Sequence, residues 1–270
     1  MEEGTNWASF YKDGFFGYGE EGDFTYFSIW HFLPIILLIV SIVLTYLFKD
    51  RIRRCKHEKI IRYVLATIMM LAELGYFWRL VYVGAANTTT HTLSGKFPLQ
   101  VCEWTCIFAT IMMFTESKTL FDIDVVICLT LGIAPLILPA VIRTTGPLYF
   151  RYYQYWLEHI VPVYSVFYMM FVKGYRYDIK KIYKPLIFIT VLAGFCIWAN
   201  ASFPDAHYMY LQGNDLGEAI TKILPESQFG RLAIFGPLAI LLFTIEFLVI
   251  FFYRKIKTKR NKDDLKPQTI

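Results

Sequence analysis

A thiol and an imidazole become a reaction pair when the thiol can pass its proton to the ring, because the thiolate is the nucleophile. The chain offers one such pair in Cys102 and His159, each about five residues inside an apolar stretch long enough to span a membrane. Histidine titrates near neutrality, so His159 can accept the thiol proton and return it to a departing alcohol. Other polar residues recur at a similar depth. His31 lies about five residues inside the first apolar stretch, Arg79 about five from the end of the second, and Asn200 about three from the end of the sixth. At 1.5 Å per residue, this layer sits ~5–8 Å below one interface. Glu73 falls deeper, near the middle of the second stretch, and Glu246 falls in the far half of the seventh. Ionisable groups inside hydrocarbon are costly and mark candidate functional positions.

Each residue also has a bland reading. A lone cysteine behaves as a small hydrophobe, so Cys102 by itself reads as packing, as do Cys106, Cys128 and Cys196. His31 can serve an interhelical hydrogen bond, and Arg79 can snorkel to the interface. Glu103 and Glu158 project roughly 100° around their helices from Cys102 and His159, so neither carboxylate is expected to share a site with its neighbour. The common depth of residues from five separate stretches is what favours chemistry over packing. No metal is expected, because the histidines lack a tight ligand spacing such as HExxH, and no cofactor is implied.

The elements that must position this layer are membrane helices. Of the 270 residues, 56% are hydrophobic and only 18% charged, and the mean hydropathy is +0.43. Soluble domains are nearer 45–50% apolar and about 25% charged. Seven stretches reach spanning length: Tyr26–Phe48, Ile60–Gly84, Phe97–Phe114, Leu120–Ile142, Gln154–Val172, Tyr183–Phe203 and Arg231–Tyr253. Pro135 and Pro139 are expected to kink the fourth. The prediction is an all-α, polytopic membrane helix bundle of about seven transmembrane helices.

Charge fixes its orientation. The connections Lys49–Arg62 and Lys173–Lys184 and the tail Tyr253–Lys266 are strongly basic and fall on one side of a seven-span arrangement. The acidic N-terminal segment, the neutral loop Ala85–Lys96 and the mildly acidic loop Pro204–Gly230 fall on the other. The positive-inside rule then places the N-terminus outside and the C-terminus in the cytoplasm. Residues 1–25 read as an extracellular segment, 26–253 as the membrane domain and 254–270 as a basic cytoplasmic tail. The net charge of +5 is explained by these clusters, and no nucleic-acid motif accompanies it. The outer loops hold no cysteine, so no extracellular disulfide is expected. The first 24 residues lack the basic and apolar regions of a cleavable signal peptide. The segment Asp215–Leu224 is expected to form a short amphipathic helix.

Four short segments stand out: Ser28–His31, the PLxxC pattern within Phe97–Cys102, the His-bearing Tyr155–Tyr164, and Asp205–Leu211. Together they resemble the YwaF-like family of bacterial integral membrane proteins. Their order spans nearly the whole chain, and His207 stands where the pattern has Asn. The family is related to a vertebrate transmembrane acyltransferase of ether-phospholipid synthesis, whose reactive Cys and His match Cys102 and His159. The resemblance implies a multi-pass protein of a bacterial plasma membrane acting on membrane lipids. The expected function is a lipid acyltransferase or ester hydrolase, with Cys102 as nucleophile and His159 as base and acid. Arg79 would hold a lipid phosphate or stabilise developing negative charge, His31 and Asn200 would orient groups or donate to the oxyanion, and Glu73 would join them in the substrate site. The rival readings are a transporter using the polar layer as a solute pocket, with the Pro-broken fourth span as a gate, and an assembly partner whose polar layer is interhelical glue.

Overall fold

The computed structural model of the chain describes residues 15–16, 24–86, 97–139, 145–203, 206–213 and 221–263, with side chains for all of these except 77–86, 250 and 252–263. All regular structure among the described residues is helical. The long helices are α1 (Ile29–Arg53), α2 (Glu58–Ala86), α3 (Val101–Thr115), α4 (Lys118–Thr130), α6 (Phe150–Phe171), α7 (Tyr183–Ser202) and α8 (Gln228–Asp263), with a short α5 (Ala134–Ile137) after α4. They occupy the seven predicted stretches, so the all-α polytopic bundle stands. Among the described residues, four stretches, Ile29–Arg53, Lys118–Ile137, Ile179–Ser202 and Gln228–Val249, are long and apolar enough to cross a membrane, and α3 is a shorter apolar helix. The α8 helix continues past Tyr253 into the expected tail. Most of the expected helix at Asp215–Leu224 lies outside the described residues, as does most of the N-terminal segment.

Outward faces are apolar, with Ile36 and Leu37 on α1, Val191 and Phe195 on α7, and Leu238 and Ile245 on α8 all exposed. Exposed aliphatic faces of this kind are at ease in lipid and costly in water. The polar side chains turn inward instead. They concentrate on α6, which packs against α1, α2, α3, α4 and α5 and is therefore the central helix.

The fourth predicted stretch is broken, as its prolines require. The α4 helix ends at Thr130, and the chain turns through Leu131–Ile133 before α5 begins. Gly132 allows the turn, because a Cβ there would lie 2.7 Å from the Cys128 carbonyl oxygen. In a continued helix the Pro135 carbonyl would accept from position 139, but Pro139 has no N–H. The Tyr155 hydroxyl donates to it instead at 2.8 Å. The neighbouring Leu136 carbonyl bonds His31 Nε2 at 2.9 Å. Two helices thus supply the partners that the broken backbone lacks, which hydrocarbon could not.

The basic connections converge on one end of the bundle. Arg53 donates to the carbonyls of Val172 at 2.8 Å and Phe171 at 2.6 Å, placing a cation at the negative C-terminal end of α6. Buried Arg62 bonds Glu58, Glu116 and the Met113 carbonyl. Lys173 joins Glu116 at 3.0 Å, and Lys118 and Lys184 both pair with buried Asp122. These are the basic loops that the positive-inside rule predicts to face the cytoplasm, and they also tie the helices together.

Candidate functional site

The opposite half of α6 carries a polar stripe. Arg151, Gln154, Tyr155, Glu158 and His159 recur at the three- and four-residue spacing that lines up one helix face, and all are buried. Arg151 donates to Gln154 Oε1, and Gln154 Nε2 donates to Glu158 Oε2 at 2.7 Å. Arg151 Nη1 itself stands 3.6 Å from that oxygen. Its guanidinium also stacks over the Tyr76 ring of α2, 4.1 Å from the centroid. A buried charge needs partners of this kind to be tolerated.

Cys102 faces this stripe from the first turn of α3. Its sulfur, a His159 ring nitrogen and a Glu158 carboxylate oxygen all lie within 4.8 Å of one another. His159 Nδ1 pairs with the Tyr155 carbonyl at 2.7 Å. A carbonyl can only accept, so Nδ1 carries the proton and Nε2 of the neutral ring is left with a free lone pair. The expected meeting of Cys102 and His159 is therefore present in the geometry. The expectation that Glu158 and His159 cannot serve one place is overturned. Their directions differ, but a site lying between the two directions is within reach of both side chains.

The segment after α7 is anchored beside the start of α3. Asn200 Oδ1 accepts the Tyr208 N–H at 2.8 Å, and Asn200 Nδ2 donates to the Tyr208 carbonyl and to Gln228, each at 3.2 Å. Gln100, just before α3, accepts the Met209 N–H at 3.0 Å, and Phe97 N–H donates to the Tyr208 hydroxyl at 2.8 Å. His207 contributes its carbonyl to Gln100. The segments Phe97–Cys102 and Asp205–Leu211, remote in sequence, are thus clamped together, although Asp205 itself lies outside the described residues.

The chain matches the family model described as the TMEM164 family over residues 26–257. It belongs to the TMEM164 family. No curated protein and no solved structure matches it. The match runs from before α1 into α8, so it takes in all the long helices of this TMEM164-family chain except the end of α8, and the chain is a multi-pass membrane protein.

Of the remaining expected site residues, His31 and Asn200 are held by other partners. In His31 both ring nitrogens are engaged, Nδ1 by the Phe27 N–H at 3.1 Å and Nε2 by the Leu136 carbonyl. Asn200 spends its amide on the Tyr208 clamp. Glu73 lines a cavity of about 350 Å³ with Met70, Leu74, Pro98, Ile107, Thr110 and Ile111, and one of its carboxylate oxygens is buried without a hydrogen-bond partner among the described residues. Arg79 lies on α2, with its side chain outside the described residues. Cys106 bonds the Met69 carbonyl at 3.6 Å, Cys128 bonds Asp124 at 3.5 Å and Cys196 bonds the Leu99 carbonyl at 3.2 Å, each a packing role. Sequence reasoning missed Arg151, Gln154 and Glu158. The signal was the i, i+3, i+7 run of polar residues reaching back beyond the apolar limit of the span.

The clamp gives a direct expectation. Asn200→Ala removes the acceptor of the Tyr208 N–H and one of the donors to the Tyr208 carbonyl, which keeps the Leu211 N–H, at a cost of about 1–3 kcal/mol. The melting temperature of the purified protein in lipid should fall, and amide hydrogen exchange at Tyr208 and Met209 should quicken. Unchanged exchange there would remove Asn200 as the anchor.

Proposed function

We propose that this TMEM164-family chain is a lipid-directed acyltransferase or ester hydrolase working through Cys102 and His159 in the outer leaflet. The observation that carries the reading is the meeting of the Cys102 sulfur with His159 and Glu158, all within 4.8 Å, on elements whose other polar groups hold them in place. The resemblance of the four short segments to the YwaF-like proteins, and through them to an ether-phospholipid acyltransferase, points the same way. A site ~5–8 Å below the interface is where the ester bonds of a glycerolipid lie.

The chemistry follows from the hydrogen bonds. His159 Nδ1–H is fixed on the Tyr155 carbonyl, so Nε2 accepts the Cys102 thiol proton. The thiolate attacks the lipid ester carbonyl, and the C–S bond forms. The C–O bond then breaks as His159 returns its proton to the departing alcohol, leaving an acyl thioester on Cys102. A second alcohol, or water, gives its proton to His159 and attacks the thioester. The acyl group leaves on the new oxygen, and the thiol is restored. Cys102 is the second residue of α3, where the Gln100 and Glu103 N–H groups are capped within the turn and the Val101 and Cys102 N–H groups, without acceptors inside the helix, can face a developing oxyanion. Arg151, paired with Glu158, keeps the carboxylate beside the thiol from standing as an uncompensated charge.

A gating role for the broken fourth span, as a transporter requires, is less well supported. Its freed carbonyls are held by Tyr155 and His31.

Iodoacetamide labelling of the protein in lipid nanodiscs tests the reading, with exposed Cys55 changed to Ser in every variant. Labelling at Cys102 should vanish in Cys102→Ala and slow at least tenfold in His159→Ala. Incubation with acyl lipids should give a hydroxylamine-cleavable acyl adduct on Cys102. Equal labelling of wild type and His159→Ala, with no adduct, would make Cys102 an ordinary thiol.

A further inference from the structure

The three groups that meet at Cys102 are also a metal-ligand set. We propose that Cys102, His159 and Glu158 bind a zinc(II) ion with the fourth coordination position open, and that the ion and an acyl group exclude each other from Cys102.

The donor set is the first argument. Thiolate sulfur, imidazole nitrogen and carboxylate oxygen are the ligands zinc takes, and three protein ligands with one open position is a recurrent arrangement. Bond lengths of about 2.0–2.3 Å in a tetrahedron place the donor atoms roughly 3.3–3.8 Å apart. The three atoms already lie within 4.8 Å of one another, so closure onto an ion needs shifts on the order of 1 Å, within reach of side-chain torsions.

The surrounding hydrogen bonds are the second argument. Metal-bound histidines almost always donate their other ring N–H to a carbonyl or carboxylate, which fixes the ring. His159 does this through Nδ1 to the Tyr155 carbonyl, leaving Nε2 for the ion. Glu158 Oε2 is held by Gln154 Nε2 and faces Arg151, leaving Oε1 for the ion. Arg151 retains Gln154 and the Tyr76 ring as partners. The ligands are thus oriented by groups that ligate nothing themselves.

Charge is the third. The thiolate, the carboxylate, a divalent ion and Arg151 beside Glu158 leave one positive charge, which an anionic ligand such as hydroxide in the open fourth position would balance where Glu158 is 2% and His159 6% exposed. Bound zinc would occupy the sulfur lone pair that attacks and the Nε2 lone pair that takes the proton. That consequence, inhibition, rests on the acyl-transfer reading; binding itself does not.

The test uses the full-length chain in lipid nanodiscs, with Cys55→Ser in every variant and EDTA treatment followed by removal of the chelator. Cobalt(II) is added first as a visible probe, then zinc(II) as competitor. One cobalt per chain is expected, with a sulfur-to-cobalt charge-transfer band that zinc bleaches. Cys102→Ser should abolish the band, and His159→Ala and Glu158→Gln should each weaken zinc binding at least tenfold. Glu158→Gln is nearly isosteric, and melting in EDTA confirms that each variant is folded. A missing band, one that survives Cys102→Ser, or unchanged affinity in folded Glu158→Gln and His159→Ala would overturn the proposal. Iodoacetamide reactivity separates the two readings. A thiol that is fast in EDTA and not protected by zinc would sink the metal site and leave the acyl reading standing. A thiol that is inert in EDTA while zinc binds would do the reverse.

Discussion

His159→Ala should slow acyl transfer through Cys102 by about 100- to 10,000-fold, the range that a positioned general acid–base supplies. The size of the effect follows from having one ring do two jobs. Nε2 removes the thiol proton before attack and returns it to the leaving alcohol, so both halves of the reaction lose their proton carrier together. The Tyr155 carbonyl on Nδ1 means that the tautomer does not have to be selected at each turnover. Single-turnover formation of the Cys102 acyl adduct, followed by mass spectrometry, isolates the first half. Transfer from the preformed adduct to an alcohol isolates the second. Both rates should fall in His159→Ala. If only the second falls, another group activates the thiol, and Glu158 is the neighbour placed to do so. If neither falls, His159 is a packing residue and the catalytic reading fails.

Depth along a helix was readable in the sequence, and rotation about it was not. Counting residues from the ends of apolar runs put Cys102 and His159 at one level, and they meet. The same counting put His31 and Asn200 at that level, yet their polar atoms are taken by backbone groups of Phe27, Leu136 and Tyr208. No pattern of side-chain types announces a bond to a backbone carbonyl on another helix. The break after Thr130 was legible because Pro135 and Pro139 act locally, through a missing N–H. The partners that repair it, Tyr155 and His31, come from other helices and were not. Arg151 escaped because the apolar count began the fifth span at Gln154, whereas α6 begins at Phe150. An arginine just beyond the apolar limit reads as a loop or interface residue, and here it is turned inward onto Glu158. Glu158 escaped through treating side-chain directions as if they pointed at distant sites. Two neighbours 100° apart can both reach a group that sits close to the helix.

Arg151→Met should destabilise the protein by about 3–5 kcal/mol, the cost of removing one member of a buried ion pair. Glu158, 2% exposed, would lose its cationic partner and be left with Gln154, Cys102 and His159 beside it, in a layer flanked by hydrocarbon. The penalty comes from the stranded carboxylate more than from the lost attraction, and that distinction can be measured. Glu158→Gln alone leaves the guanidinium with Gln154 and the Tyr76 ring, so it should cost less than Arg151→Met. In the double variant Arg151→Met, Glu158→Gln no charge is stranded, so its loss should fall short of the sum of the single losses by about 1–3 kcal/mol. Reversible unfolding of the three variants and the wild type in lipid–detergent mixtures completes the cycle. Additive losses would mean that Arg151 and Glu158, 3.6 Å apart, do not depend on each other. Arg151 would then be a packing residue lying across Tyr76, and the carboxylate next to Cys102 would need some other source of compensation.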